Sequence, residues 1–442
     1  MDARQFAEDI CGRLRDASYQ AFFVGGCVRD MVLGREPADY DVATDATPDR
    51  VQELFPRSIA VGARFGVILV VEDGLEVEVA TFRSDVGYAD GRHPEKVVYA
   101  STAQEDVIRR DFTINGLLYD PKTDEVLDYV GGREDIRAKL IRAIGNAEAR
   151  FEEDKLRMVR AVRFAARLNF TIEPTTFAAI RELAPEIHSV SCERLNDELT
   201  KILTEGAARR GFELLDETGL LVELLPEIVQ MKGVEQPPQY HPEGDVWIHT
   251  RMLLEKLPAG VSPTLAWSAL LHDVGKPPTF VAPKGPGDRI RFDGHAEVGT
   301  KMAHEIVRRF RFSNEDVEQI ESLVANHMRF KDVPFMKPST LKRFVRQPHF
   351  DEHLELHRID CLSSNRNLET YQQVKEFLEA TPPEEVHPAR LLTGEDLKEM
   401  GFVPGPSFRE ILRALEDAQL EGRIRTRAEA LELLRDEFPH PS

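Results

Sequence analysis

The chain is poor in cysteine, has no long apolar run and carries no excess of basic charge, and each shortage removes a class of protein. Cys11, Cys27, Cys192 and Cys361 are the four cysteines in 442 residues. They form no CxxC pair, so no disulfide framework or zinc ribbon is expected. No apolar stretch approaches the ~20 residues that span a bilayer, so no membrane partner is expected. The opening MDARQFAEDICGRLRDAS lacks the basic start and apolar centre of a secretory signal. Phe6, Ile10 and Leu14 instead mark one face of a short helix, and a reducing, cytoplasmic location is the expectation. A net charge of −20 argues against a non-specific nucleic-acid binder, which needs Lys and Arg on phosphates. It still allows a local basic track on an acidic body. Two regions qualify: Arg142, Arg150, Lys155, Arg157, Arg160, Arg163 and Arg167, and then Lys337, Lys342, Arg343 and Arg346. The length suits two to four domains; repeats, low-complexity segments and signs of an obligate protein partner are missing.

What is present begins with Phe22–Thr44, FFVGGCVRDMVLGREPADYDVAT. An apolar run ends in Gly25 and Gly26, whose bare backbone can approach a ligand and offer N–H groups to a phosphate. Arg29 follows one helical turn later, able to reach the same anion. Asp39 and Asp41, two apart on a strand, point to one face. Such carboxylates repel unless a cation lies between them, and hard oxygen ligands suit Mg²⁺. A phosphate cradle, an arginine and a metal-binding acid pair together suggest nucleotidyl transfer.

GG-x-VRD followed by DYD resembles the nucleotidyltransferase head shared by bacterial tRNA nucleotidyltransferases (CCA-adding enzymes) and bacterial poly(A) polymerases, within the polymerase β superfamily. The resemblance continues through separate motifs to about residue 200. It implies an α+β chain: a polymerase β-like head with a small mixed sheet (1–137), an all-α neck (138–232), an HD-type helical body (233–380) and a helical tail (381–442) that contacts tRNA. After a helix opening at Thr47-Pro-Asp, residues 64–82 read as a hairpin turning at Glu72-Asp-Gly74. On its return strand Glu78, in EVATFR, is implied to be the third carboxylate of a site holding two Mg²⁺ ions. Arg83–Val97 is polar and Gly-rich and reads as a mobile loop, similar to the family's flexible loop that helps switch from CTP to ATP. In RRDFTIN the resemblance assigns Asp111 to the ribose 2′-OH, with Arg110 and Asn115 supporting the nucleotide. Asp128-Tyr-Val-Gly-Gly-Arg133 reads as a turn closing the first domain.

Phe151–Phe170 reads as one amphipathic helix, with Leu156, Val159, Phe164 and Leu168 near a 3.6 period. It places Asp154 and Arg157 at i, i+3 on one face. Cytosine and adenine each show an amino donor beside a ring-nitrogen acceptor, which a carboxylate beside a guanidinium complements. Guanine and uracil reverse that order, and buried polar mismatches discriminate strongly. EDxxR is the family's protein template for CTP and ATP, so Asp154 and Arg157 are the expected specificity residues, with Arg160 and Arg163 further along the nucleotide site. Arg194 and Glu198 are expected to brace that helix.

A Pro/Gly-rich stretch from Gln236 marks a boundary near 235. Beyond it, nine of the thirteen histidines lie between His241 and His357. The series H…HD…H…H…D resembles the HD-domain metal phosphohydrolases. His249, His272, Asp273 and Asp360 are the expected ligands, and His295 and His327 would hold a second metal or a phosphate. A mixed N/O set suits Mn, Ni, Fe, Co or Mg. His304, His353 and His357 read as ordinary helix residues. The tail reads as a helix over Leu391–Met400 followed by a long amphipathic helix.

The expected function is thus addition or repair of the tRNA 3′-terminal CCA from CTP and ATP, with phosphatase or 2′,3′-cyclic phosphodiesterase activity in the HD region. An A-only or CC-only enzyme remains open, as does a poly(A) polymerase, although Val61–Val70 lacks the second arginine expected of the latter. A rival of another class is an HD phosphohydrolase with a nucleotide-sensing head.

Overall fold

The structure, a computed structural model, describes residues 1–62, 66–88 and 94–438. It divides into two compact units: Met1–Val229 with Pro258–Gly260, and Gln230–Leu257 with Val261–Ser442.

The first unit is built on strands β1 (Ala21–Val24), β2 (Asp41–Thr44), β3 (Ser58–Gly62), β4 (Val67–Glu72), β5 (Leu75–Thr81), β6 (Arg83–Tyr88), β7 (Pro94–Tyr99), β8 (Leu117–Asp120) and β9 (Glu125–Asp128). Seven of them form one sheet in the order β3-β4-β5-β2-β1-β8-β9. It is mixed because β2 and β5 run parallel while their neighbours are antiparallel. Helices α1 (Ala3–Asp16), α2 (Gly26–Val32), α3 (Pro48–Leu54), α4 (Ala103–Ile108) and α5 (Gly132–Ala138) accompany it. A capping box between Asp2 and Gln5 starts α1, whose buried face is Phe6, Ile10 and Leu14 as the spacing predicts. The turn before α5 is organised by Asp128, whose Oδ1 accepts from Val130, Gly131 and Gly132 N–H at 3.1, 2.8 and 3.0 Å.

The segment Arg83–Val97, expected to be a mobile loop, lies largely in a second hairpin, β6 paired antiparallel with β7. Its tip, and residues 63–65 of the stretch used against a poly(A) polymerase, lie outside the described residues.

Then come α6 (Ala147–Glu153), α7 (Leu156–Leu168), α8 (Pro174–Leu183), α9 (Cys192–Thr204) and α10 (Ala208–Glu217). The single helix expected over 151–170 is broken: Asp154 is extended, with φ −152° and ψ 103°. Its carboxylate accepts from Leu156 N–H at 3.1 Å, so it starts α7 instead of continuing α6. Aspartate competes in this way with helical backbone bonds.

The second unit is helical apart from isolated bridges. Helices Val246–Leu254, Pro263–Leu271, His295–Arg309, Asn314–Asn326 and Phe350–Ser363 carry the histidine-rich region. A core of Phe330, Phe344, Phe350 and Val374 follows, and the tail packs Leu397, Ile411, Leu415 and Leu434. The helix expected over 391–400 is shortened to Gly394–Glu399, and the long amphipathic helix Pro406–Leu420 is followed by another, Arg427–Glu437, that the sequence pattern did not announce. The basic track expected at 337–346 is not free. Arg343 pairs with Glu416 and Asp417, Arg346 with Glu416, and Lys342 with Glu385.

Candidate nucleotide cleft and metal centre

In the first unit a cleft of about 650 Å³ is lined by Gly25, Gly26, Arg29, Asp39 and Asp41 together with Asp154, Arg157, Arg160 and Arg163. Arg110, Asp111 and Asn115 line it too. Acids two residues apart and an acid–arginine motif more than a hundred residues later thus face one space.

Asp41 opens β2 opposite Val24. Because Val42 pairs with Val79 on the parallel β5, Asp41 stands one position further along, beside exposed Glu78. Glu78 is not a wall of the cleft but acts on it through charge. Burial, then Asp39 and Glu78, push the Asp41 carboxyl up to about 7. A carboxyl half-protonated near neutrality and faced by two further acids is a donor set completed by a cation. All-oxygen donors suit Mg²⁺, so the residues fit the expected ion.

Much of the remaining lining is tied into a chain of charge-assisted bonds. Arg160 gives Nε and Nη2 to Asp111 Oδ2 at 3.0 and 2.7 Å. Asn115 Nδ2 donates to Asp111 Oδ1 at 3.1 Å, and Arg29 Nη1 to Asn115 Oδ1 at 3.0 Å. Burial alone would raise Asp111, but Arg160 and Asn115 hold it below the usual carboxylate range. Arg29, expected to lie free for a phosphate, is only 3% exposed and also bonds Asp30; it lines the cleft while anchoring Asn115. Glu198 accepts from Arg160 at 3.4 Å and lies 3.2 Å from Arg163 Nε. Burial pushes Arg163 down, against the pull of Glu198. Arg29, Arg160 and Arg163 all lie over the Phe164 ring, 5.5, 5.2 and 4.6 Å from its centre.

Asp154 and Arg157 line the cleft but do not pair with each other, as the i, i+3 spacing had suggested. Asp154 Oδ2 and Oδ1 take a fork from Arg194 on α9, at 2.6 and 3.2 Å. Arg157 gives Nη1 to Glu153 Oε2 at 2.7 Å and to the Arg150 carbonyl at 3.0 Å, and Nη2 to the Arg109 carbonyl at 3.1 Å. Each specificity candidate is therefore held from behind by a different partner. Sequence reasoning missed Asp106, a buried carboxylate bonded to Arg109 and Arg110; its i, i+3 and i, i+4 spacing from them was the available signal.

In the second unit His249, His272, Asp273, His295, His327 and Asp360 converge. Ligand atoms of His249, His272 and Asp360, and of Asp273, His295 and His327, form two groups, each within 4.8 Å. The Nδ1 atoms of His272, His295 and His327 lie 3.0, 2.9 and 2.6 Å from the carbonyls of Ala269, Phe292 and Val324. Carbonyls only accept, so each ring carries its proton on Nδ1 and turns a bare Nε2 inward. His295 and His327 then aim Nε2 lone pairs at each other across 3.2 Å, while the buried Nε2 atoms of His249 and His272 lie 3.1 Å from Asp360 Oδ1 and 3.2 Å from Asp273 Oδ2. Imidazole nitrogens and carboxylate oxygens turned onto one small space fit a divalent metal. Burial pushes His327 down to about 3, whereas His249, despite burial, is raised to about 9 by Asp360 and Glu243. Missed here were Glu243, 2.8 Å from His249 Nδ1, and Lys276, whose buried ammonium bonds Asp273 and Gln236 at 2.6 Å each. A cavity of about 660 Å³ beside the cluster includes His241, Lys276, His295, His327 and Asp360. His304 pairs with Glu321, His353 lies near Ser322 and His357 stacks on Phe330, all as ordinary helix residues.

Three family models match the chain: "Poly A polymerase head domain" over 21–142, "Probable RNA and SrmB- binding site of polymerase A" over 169–231, and "HD domain" over 244–364. A CCA-adding enzyme of Geobacillus stearothermophilus is 45% identical over 49% of this chain, and the alignment spans 53% of that protein, about half its length. A CCA-adding enzyme of Levilactobacillus brevis is 31% identical over 97% of this chain and 96% of its own. Among solved structures, the Bacillus stearothermophilus CCA-adding enzyme in complex with CTP superposes with a TM-score of 0.73 at 27% identity, covering 99% of this chain and 98% of that one. Among the described residues no helix is long and apolar enough to cross a membrane.

Proposed function

Because this chain belongs to the family of CCA-adding enzymes, which are nucleotidyltransferases, we propose that it adds or repairs the 3′-terminal CCA of tRNA from CTP and ATP in the cytoplasm, releasing pyrophosphate. The observation that carries this reading is the single cleft shared by Asp39, Asp41, Asp154 and Arg157. Asp39 and Asp41, with Glu78 alongside, would hold two Mg²⁺ ions. Bound there, the ions supply charge neutralisation at the leaving pyrophosphate and a lowered pKa at the primer 3′-OH. Gly25 and Gly26 let the triphosphate come close to the backbone, and Arg110 faces it. Asp111, held ionised by Arg160, accepts from a ribose hydroxyl. Asp154 accepts from the exocyclic amine of cytosine or adenine while Arg157 donates to the adjoining ring nitrogen; uracil and guanine would leave both unpaired. The four-part organisation, with head 1–137, neck 138–232, HD body 233–380 and tRNA-contacting tail 381–442, follows from the same reading.

Incubation with tRNAs ending before CCA, at C and at CC, with each NTP separately and with CTP and ATP together, tests the proposal. Completion of CCA on all three is expected when both nucleotides are present. Extension only of CC-ended tRNA, arrest after two cytidines or growth of an A tail would each replace it with an A-only, a CC-only or a poly(A) enzyme.

For the second unit we propose metal-dependent phosphatase or 2′,3′-cyclic phosphodiesterase activity that cleans damaged tRNA ends. The inward-facing Nε2 atoms support it. His249, His272, Asp273 and Asp360 would hold the metal, with His295 and His327 taking a second ion or the phosphate; the metal supplies an acidified water. Hydrolysis that persists in His272→Ala would overturn this assignment.

A further inference from the structure

Asp106 is a buried carboxylate given no role by the reactions above. It lies on α4, three and four residues before Arg109 and Arg110, and its side chain is 2% exposed. Oδ1 accepts from Arg109 Nε and Nη2 at 3.0 and 2.6 Å, and Oδ2 from Arg110 Nε and Nη2 at 3.2 and 2.8 Å. One carboxylate thus seats two guanidinium forks, which a point-charge partner could not orient.

The links continue outward on both sides. Asp106 Oδ1 also accepts from Arg83 N–H at 3.3 Å, and Arg109 Nε donates to the Arg83 carbonyl at 3.0 Å. Arg83 is the first residue of the β6–β7 hairpin. On the cleft side, the Arg109 carbonyl receives Arg157 Nη2 at 3.1 Å. The Arg110 guanidinium lies against the glycine turn, 3.6 Å from where a Cβ on Gly25 would stand. Asp106 itself is not a wall of the cleft.

We propose that Asp106 is a positioning residue for nucleotide transfer, seating Arg110 against the Gly25 turn and Arg157 at the base-reading end and joining both to the root of the hairpin. The proposal rests on the cleft being the nucleotide site. A merely structural Asp106 would alter stability and leave nucleotide selection alone; a positioning one acts on the nucleotide and not on tRNA.

The test is steady-state incorporation by the full chain on CC-ended and CCA-lacking tRNA, with melting temperature followed in parallel. Asp106→Asn keeps the size but replaces one acceptor with donors facing a guanidinium. It should raise KM for CTP and ATP about tenfold and reduce preference for CTP over UTP, with KM for tRNA within about twofold. Arg110→Lys keeps the charge and loses the fork, and in that background Asp106→Asn should add less than about twofold to KM, because coupled residues are not additive. Unchanged nucleotide KM, or effects that multiply in the double variant, would overturn the inference. If Asp106→Asn does not fold, Arg109→Lys serves in its place: it should erode CTP-over-UTP preference through Arg157, and retained preference would overturn it equally. A wild-type chain that incorporates no nucleotide would sink the nucleotide reading itself, a result distinct from an active wild type with an indifferent Asp106→Asn.

Discussion

Arg194→Ala tests the base-reading wall without touching the residues proposed to read the base. Arg194 holds Asp154 through two charge-assisted bonds of 2.6 and 3.2 Å, with side chains only 21% and 17% exposed. Hydrogen bonds to charged groups contribute ~1.5–3 kcal/mol each, and breaking a fully buried pair costs ~3–5 kcal/mol. A pair at the edge of an open cleft keeps part of its hydration, so about 2 kcal/mol is the reasonable expectation. If the carboxylate loses that much orientation in the transition state, kcat/KM for CTP and ATP falls ~30-fold. UTP, which gains nothing from a well-placed Asp154, should lose less, so the CTP-over-UTP ratio narrows. Arg194→Lys, which keeps the charge without the fork, should fall between the two. Single-turnover incorporation of CTP or UTP into tRNA lacking CCA, and of ATP into CC-ended tRNA, reads all of this. Selectivity within twofold of wild type in Arg194→Ala would refute the idea that Asp154 reads the base from a position set by α9.

Asp41→Asn removes charge from the acid cluster while preserving shape; incorporation should be abolished at saturating Mg²⁺ while far-UV circular dichroism stays native, and normal incorporation would remove the metal assignment. Exhaustive chelation should end cyclic-phosphate hydrolysis, and Mn²⁺, Co²⁺ or Ni²⁺ should restore it better than Mg²⁺, because imidazole nitrogen favours those ions; metal content measured by mass spectrometry should follow activity. Glu173 caps α8. Burial would raise its carboxyl, but hydrogen bonds from Thr175 and Thr176 lower it from 4.5 to about 2. Its contribution is therefore fully present above about pH 4.5 and is lost as pH falls towards 2. Urea unfolding of Glu173→Gln at neutral pH should show a loss of about 1 kcal/mol that shrinks on acidification through that window. Gly25→Ala places a side chain at φ +78° beside Arg110, and should cost about 1–2 kcal/mol of stability while raising nucleotide KM; an unaffected KM would argue against close triphosphate approach at that turn.

Much of the cleft could be read from the chain because its parts are local. The glycine turn, Asp39 with Asp41, and the RRD run each span only a few residues, so short spacing brings their side chains together. This holds even though Asp39 precedes β2 instead of sharing the expected strand with Asp41, and the RRD run follows α4. The same logic failed where a competing bond was closer to hand. Periodicity made 151–170 one helix, but Asp154 turns its carboxylate onto Leu156 N–H and ends the first helix there. The second basic track looked like a nucleic-acid surface until Glu416, Asp417 and Glu385 came to lie against it from more than forty residues away.

By itself the sequence determined which chemical groups the molecule owns and how they are spaced along each element: acids for a hard cation, an acid–arginine pair for an amino-substituted base, and imidazoles with carboxylates for a softer metal. Only the tertiary structure decided which acid holds which arginine across the fold, turning Asp154 to Arg194 and Asp111 to Arg160. The reason is physical. A helical repeat constrains neighbours three and four residues apart, whereas a guanidinium binds whichever carboxylate packing brings within about 3 Å, and packing is a property of the whole chain.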